Sequence, residues 1–242
     1  MNKFITLVKG DQMRMRKYGI TYASLFTAVL FVIMIQLINM NSIDAYFPLF
    51  IFIDATIMSF LLVGVSMIFE KQENTIKSML VTSISKHQYL LSKIIATVAS
   101  SLLILILLGA YGIIFKNLSI NYVGIIGAVL LTAFVFSCFG ILVTYISNDF
   151  TSLLMWIFAY SMIMIIPTLL QAFNIITGNW FKYIQYINPT QSALNVLNAT
   201  VMPIDKTDFI ISLSYLVILA VVLYIFAAKK FDKYSQKELG GE

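Results

Sequence analysis

Six long runs free of Lys, Arg and Glu recur along the chain, separated by polar stretches of unequal length. They are Gly19–Ile38, Phe47–Phe69, Ile94–Phe115, Tyr122–Ile146, Phe150–Leu170 and Phe209–Ala228. A helix needs about 20 mostly apolar residues to cross the ~30 Å hydrocarbon core of a bilayer, and each run is that long. The pattern therefore predicts an all-α integral membrane protein with six transmembrane helices, built as a single transmembrane domain over residues 1–242. The connections Asn39–Asp44, Lys116–Asn121 and Ser147–Asp149 are only long enough to turn the chain around. Two connections are larger, Glu70–Lys93 and Gln171–Asp208.

Composition agrees with that reading. Hydrophobic residues make up 60% of the chain and charged ones 11%, with a mean hydropathy of +0.91. A soluble domain carries about 25% charged residues, so this chain lacks the polar material to wrap a water-facing core. The cations also fix an orientation. One set of segments carries Lys3, Lys9, Arg14, Arg16 and Lys17, then Lys71, Lys77, Lys86 and Lys93, then Lys229, Lys230, Lys233 and Lys237. The opposite side holds Lys116, Lys182 and Lys206 alone. Positive residues stay on the cytoplasmic side, so both termini are expected in the cytoplasm. The apolar stretch Tyr18–Ile43 is too long for a signal-peptide core and lacks a small-residue cleavage pattern, which makes it a retained first span.

Three segments outside the spans have a character of their own. In Met1–Lys17, Phe4, Ile5, Val8 and Met15 can share one helical face, with Lys3, Lys9, Arg14 and Lys17 elsewhere. That suits a helix lying on the inner leaflet and drawn to anionic lipid, or a basic tail that serves topology alone. Gln171–Asp208 is almost uncharged and rich in aromatics (Phe173, Trp180, Phe181, Tyr183, Tyr186), which favour the headgroup level. Asn188-Pro189 would end one short helix there and start another, so a re-entrant helical pair before the last span is expected, the plainer reading being a surface loop. In Glu70–Lys93, Ile76, Leu80 and Ile84 step by four and Met79 follows Ile76 by three. That apolar stripe on a mixed-charge helix suits a partner's groove, or a rest on lipid headgroups.

Absent motifs narrow the function. No G-x-x-x-x-G-K-[ST] loop cradles nucleotide phosphates, and no G-x-S-x-G, H-E-x-x-H or paired-carboxylate site is present. Cys138, the only cysteine, lies in an apolar run, as a small packed core residue does. A non-catalytic protein is expected, with no cofactor and no metal held by the chain itself and no nucleic-acid partner. Asp54 is the one acid inside a span; at ~1.5 Å per residue it stands ~22 Å from Phe69, or roughly 8 Å from the outer boundary. An intramembrane acid is a pathway or gate candidate; the plainer readings are an acid capping a helix near Pro48, or one reaching water at the outer interface. His87, the only histidine, reads as a solvated residue, and Pro167 as a kink in the fifth span.

The segment after the second span resembles the signature of ABC-2 type transporter permeases, a pattern close to E-x-E-x-G-T-x-x-x-L-x-V-T-P-[IV]-S-x-x-x-[YF]-x-x-x-K. Glu70 or Glu73, Thr75, Val81, Thr82, Ile84, Ser85, Tyr89 and Lys93 match it, while Asn74 and Ser83 replace the usual Gly and Pro. The run Tyr186-Ile-Asn-Pro-Thr-Gln-Ser-Ala-Leu194 is similar to the element that precedes the last span in such permeases. Phe52-Ile-Asp54 before Phe69-Glu70-Lys71, with Leu-Val-Thr and Tyr-Leu-Leu-Ser-Lys, further resembles permeases of fluoroquinolone-type drug exporters and of exporters of amphipathic peptide toxins.

The resemblance implies a permease subunit of an ATP-driven exporter in a bacterial plasma membrane, working on hydrophobic or amphipathic cargo. It implies a separate ABC ATPase subunit that binds ATP and Mg, and a second permease subunit, a homodimer before a heterodimer. Glu70, Glu73, Thr75, Ile76, Leu80, Ile84, Ser85 and Tyr89 would then form an ATPase-coupling segment with a cytoplasmic coupling helix. The alternative is an ion-gradient-driven secondary transporter, a class that usually places ionisable groups near the midplane and shows internal repeats.

Overall fold

The computed structural model describes residues 3–37, 43–73, 75, 84–176 and 178–240. Nine helices account for most of these residues, and there is no strand among them. They are α1 (Lys3–Lys17), α2 (Ile20–Leu37), α3 (Phe47–Gln72), α4 (Lys86–Lys116), α5 (Tyr122–Thr144), α6 (Phe150–Ala172), α7 (Asn179–Gln185), α8 (Pro189–Asn198) and α9 (Lys206–Gly240). Six of them, α2 to α6 and α9, are long and apolar enough to cross a membrane. This is a multi-pass membrane protein.

Local chemistry sets the ends of the helices. Gly19 adopts φ +75°, a conformation open to a residue without a Cβ, and this separates α1 from α2. Ser85 and Gln88 form a reciprocal capping box at the start of α4, and Asn117 in the left-handed region closes its other end. Asn121 caps α5 and Asp149 caps α6 through side-chain acceptors to Gly124 and Ser152 amides. The observed α4 begins eight residues before the apolar run, and α9 runs twelve residues past it. Helix geometry here continues beyond what hydropathy marks, because the added turns at Lys86–Lys93 and Lys229–Gly240 find partners of their own.

Burial separates a centre from a rim. Of the apolar windows, α3 is 72% and α5 61% buried, against 22–33% for α2, α4, α6 and α9. The two central helices touch backbone to side chain at Gly140: a Cβ there would stand 2.6 Å from the Phe60 carbonyl oxygen and closer still to Val63 Cγ1. Glycine is what allows that approach. Around this pair the rim helices turn rows of large apolar side chains outward, among them Phe26, Ile33, Ile106, Ile163 and Phe226. In a soluble protein such a surface would aggregate; in lipid it is solvated.

Two of the spans change register. A π-helical turn at Asp54–Met58 interrupts α3, and another at Ser161–Ile165 interrupts α6, one residue before Ile166-Pro167. The expected kink at Pro167 thus takes the form of a widened turn that releases carbonyls from the α ladder. α1 and the last turns of α9 lie at one end of the bundle, called proximal below, and α7 and α8 lie at the opposite, distal end.

Candidate functional site

Four charges meet inside the proximal end: Glu70 and Lys93, which one sequence motif groups, and Asp11 and Arg14, which it does not. Lys93 on α4 donates to Asp11 Oδ1 of α1 at 2.7 Å, to Ser66 Oγ of α3 at 3.4 Å, and to Glu70 Oε1 of α3 in a very short contact. An ammonium has three protons, and all three find an acceptor. Arg14 reaches Asp11 at 2.7 Å and Glu70 at 3.1 Å, and the Tyr89 hydroxyl donates to Glu70 Oε2 at 2.9 Å. Asp11, Glu70, Lys93 and Tyr89 are all buried. Two acids face two bases, so the cluster is neutral as a whole.

The electrostatics follow from that closure. Burial works against the Arg14 charge, and Glu70 and Asp11 outweigh it, holding its pKa above the ordinary arginine value. Desolvation of an ion is costly, and mutual pairing offsets it here, with Asp11 Oδ2 and Arg14 Nε left buried without a hydrogen-bond partner. α1 is fastened a second time by Gln12, which donates to the Ala96 carbonyl at 2.8 Å, while Met15 packs beside Ala96 in a buried apolar cluster. Of the residues expected on one apolar face, Met15 is turned into the protein and Ile5 outward. The face of α1 that matters to the fold is therefore a mixed one, with Asp11, Gln12 and Met15.

This cluster sits at both roots of the connection between α3 and α4. Glu70 lies in the last turn of α3, and Tyr89 and Lys93 in the first two turns of α4. Outside it, exposed Glu73 takes a hydrogen bond from Tyr18 at 2.6 Å and one from Lys17 at 3.2 Å; these hold its carboxyl below the usual range, the tyrosine first. Thr75 and Ile84 are half-buried, and Ser85 is exposed at the N-cap of α4. Ile76 and Leu80, with the apolar stripe they belong to, lie outside the described residues. On its other flank the start of α4 is tied to α9. Lys86 pairs with Asp232 at 2.7 Å, His87 Nδ1 meets the Tyr224 hydroxyl at 2.9 Å, and Tyr89 packs on Phe231 with ring centroids 5.3 Å apart. His87 is exposed as expected, yet it stands on a helix and has a partner.

The distal end carries a second polar joint without net charge. Asn188 Nδ2 shares its two protons among the Met164 carbonyl at 2.8 Å, Gln185 Oε1 at 2.7 Å and, more distantly, Thr168 Oγ1 at 3.2 Å. Its Oδ1 caps α8 at the Thr190 amide. The Thr190 hydroxyl lies 2.7 Å from both the Met164 carbonyl and the Thr168 hydroxyl. Met164 belongs to the π-helical turn of α6, so the Asn-Pro-Thr element docks on the carbonyl that the turn exposes. Pro189 begins α8, where a missing N–H costs nothing. Tyr186 donates to Asp208 of α9 at 2.5 Å, and Lys182 pairs with the same acid at 2.8 Å.

Asp54 opens the π-helical turn of α3 and is 2% exposed. Here it neither caps a helix nor reaches water. Ser101 of α4 is its hydrogen-bonding neighbour, Ser101 and Ser59 lie 3.1 Å apart, and Asp54 Oδ1 is left without a partner.

The proximal cluster was only partly visible in sequence: Glu70 and Tyr89 belong to the motif, but Asp11 and Arg14 enter from 82 and 56 residues away from Lys93 and Glu70. The signal was a lone acid in an otherwise basic amphipathic helix. Among the described residues no group of His, Cys, Asp and Glu could hold a metal ion. No curated protein matches the chain. A family model described as the fluoroquinolones export permease protein family matches residues 2–238, which is consistent with an ABC-2 type exporter permease. With nearly its whole length covered by that model, the chain belongs to the fluoroquinolones export permease family.

Proposed function

We propose that this export permease is the membrane-spanning subunit of an ATP-driven ABC exporter, with ATP hydrolysed on a separate polypeptide that docks on the connection between α3 and α4. The observation that carries the reading is the proximal ion cluster. It anchors both roots of that connection to α1 and to the central helix α3, so force applied to the connection passes into the bundle. Glu70 and Tyr89 act as anchors, and Glu73, Thr75, Ile76, Leu80, Ile84 and Ser85 belong to the stretch offered to the ATPase. The proximal end is cytoplasmic, in keeping with its excess of Lys and Arg.

A second permease subunit, identical in the simplest assembly, completes the pathway. The cargo is hydrophobic or amphipathic, in keeping with apolar walls and sparse charge. Asp54 contributes to the pathway, and Tyr186, Asn188 and Pro189 to an outer gate resting on the neutral joint with α6. The test is purification of the tagged chain from its native membrane, followed by identification of copurifying ATP-binding protein. Leu80→Asp places an unpaired charge on the apolar stripe and should lose the ATPase while still inserting. Normal ATPase recovery with Leu80→Asp would remove the stripe from the interface.

Asp54 favours one second reading, an ion-gradient-driven transporter, because a buried acid with a free oxygen is the kind of group such proteins use. Transport in vesicles that hold an ion gradient and no ATP separates the two.

A further inference from the structure

Asp54 stands in the distal half of α3, yet its polar surroundings lead toward the proximal end. On its distal side α3 carries buried apolar side chains, Phe47, Phe50, Ile51 and Phe52, and beyond Ser101 α4 adds buried Ile104 and Leu108. On its proximal side, polar residues face one another across the two helices. Lys93, Thr97 and Ser101 follow at four-residue intervals on α4, so they share one side of it. Ser59 and Ser66 stand on α3, and all five side chains are buried. Two contacts join the rows: the Ser59 and Ser101 hydroxyls lie 3.1 Å apart, and Lys93 Nζ donates to Ser66 Oγ at 3.4 Å. Thr97 fills the interval between them; its hydroxyl donates to the Lys93 carbonyl at 2.9 Å and keeps its acceptor sites. A polar seam thus runs from Asp54 to the proximal ion cluster. At each end of it one carboxyl oxygen is buried without a partner, Asp54 Oδ1 and Asp11 Oδ2.

We propose that Asp54 holds an exchangeable proton inside the membrane, and that this proton comes from and returns to the proximal side along the seam between α3 and α4. The inference concerns this seam alone and stands whether ATP or a gradient drives export.

Charge supports a proton on Asp54. A bare carboxylate in a dry interior needs a cation beside it. The helices α2, α5, α6 and α8 carry no charged side chain, and their titratable groups, Tyr22, Tyr122, Cys138 and Tyr160, cannot become cations. On α3, Glu70 and Lys71 stand at the proximal end. On α4 the nearest cation is Lys93, eight residues or ~12 Å from Ser101 and already engaged by Asp11 and Glu70. One carboxyl and two hydroxyls also fall short of the roughly six oxygens a hard metal cation takes.

Spacing supports the route. Successive polar groups on α4 are four residues apart, ~6 Å along the helix, a gap that one bridging water closes with two hydrogen bonds. Each hydroxyl can take one proton and give up another, so a proton leaving the Asp54 carboxyl arrives at the ion cluster, where Asp11 Oδ2 is free to accept it. Only O–H bonds break and form. An acid in the distal half of the membrane thereby answers to the pH of the proximal compartment.

The test is infrared spectroscopy of the full chain in proteoliposomes, reading the C=O stretch of a protonated carboxyl at neutral pH. Wild type should show such a band, and Asp54→Asn should lack it. In D2O the band should shift as deuterium replaces the proton. Thr97→Val keeps the shape of the side chain and removes its hydroxyl; it should slow that replacement about tenfold, the factor for ~1.4 kcal/mol from one lost hydrogen bond. Ser66→Ala should slow it as well and serves as the second variant should Thr97→Val fold poorly. Absence of an Asp54-dependent band would overturn the proposal, as would its loss when Na+ replaces K+, which marks a metal-cation site. So would replacement at the wild-type rate in Thr97→Val and Ser66→Ala. ATPase copurification is read separately, so the proposed function stands or fails by itself.

Discussion

The two ends of the bundle solve one problem with opposite chemistry. At the proximal end, Asp11, Glu70 and Lys93 bury three full charges and Arg14 half-buries a fourth, and the four cancel. At the distal end, Asn188, Thr190, Thr168 and the Met164 carbonyl bury neutral groups. Each joint fastens a non-spanning helix to the spans: α1 at the first, α8 at the second. The charged joint is strong only while complete, because removing one member strands an ion in a dry interior. The neutral joint loses hydrogen bonds one at a time, each worth about 1 kcal/mol net. Under the proposed function, the end that takes force from an ATPase gains from the first kind of joint, and the end that opens gains from the second.

The largest expected effect comes from breaking the charged joint. Lys93→Met should lower stability by about 3–5 kcal/mol, since it leaves two buried acids facing one arginine. A fall in Tm on the order of 10 °C in detergent is the measurement. Combining it with Asp11→Asn should recover part of the loss, because Arg14 and Glu70 then balance; additive losses would mean that the four charges do not act as one unit.

Next is the core that both ends share. Gly140→Ala drives a Cβ toward the Phe60 carbonyl, which is backbone and cannot swing away. Overpacking of that kind should cost about 3 kcal/mol, with salt and pH making little difference. Unchanged stability would show that α3 and α5 separate more easily than the close approach suggests.

Asn188→Ala at the neutral joint should cost about 2 kcal/mol, through loss of the cap and of donors to Met164 and Thr168. Its effect on export should exceed its effect on stability, as expected of a gate element, and transport by the purified variant in vesicles is the check. Smallest of all should be Lys86→Ala. The pair with Asp232 is partly exposed and is worth under ~1 kcal/mol, a difference that 1 M salt should erase.

How much of this was legible in the sequence depends on the range of the interaction. The six spans follow from local hydropathy, and their cores fall where the apolar runs do. The pair of short helices about Asn188-Pro189 follows from local turn chemistry. The long turns at Lys86–Lys93 and beyond Ala228 were missed because their stability comes from contacts between α4 and α9, such as Lys86 with Asp232. Asp11 was missed for the same reason: its partner is 82 residues away, and a lone acid among lysines looks like a solvated charge until Lys93 is placed beside it. The π-helical turns have no local sequence signal here, apart from Pro167 beside the second.

The central claim is that the connection between α3 and α4, fixed at its roots by the proximal cluster, takes force from a separate ATPase. Its most direct test is export of cargo by inside-out vesicles in which the tagged chain is wild type or Leu80→Asp, with ATP supplied or withheld and the copurifying ATPase quantified. The account predicts ATP-dependent uptake into wild-type vesicles, and loss of both uptake and bound ATPase in Leu80→Asp with the chain inserted at its normal level. Uptake that persists without ATP, follows an imposed ion gradient and survives Leu80→Asp would contradict it.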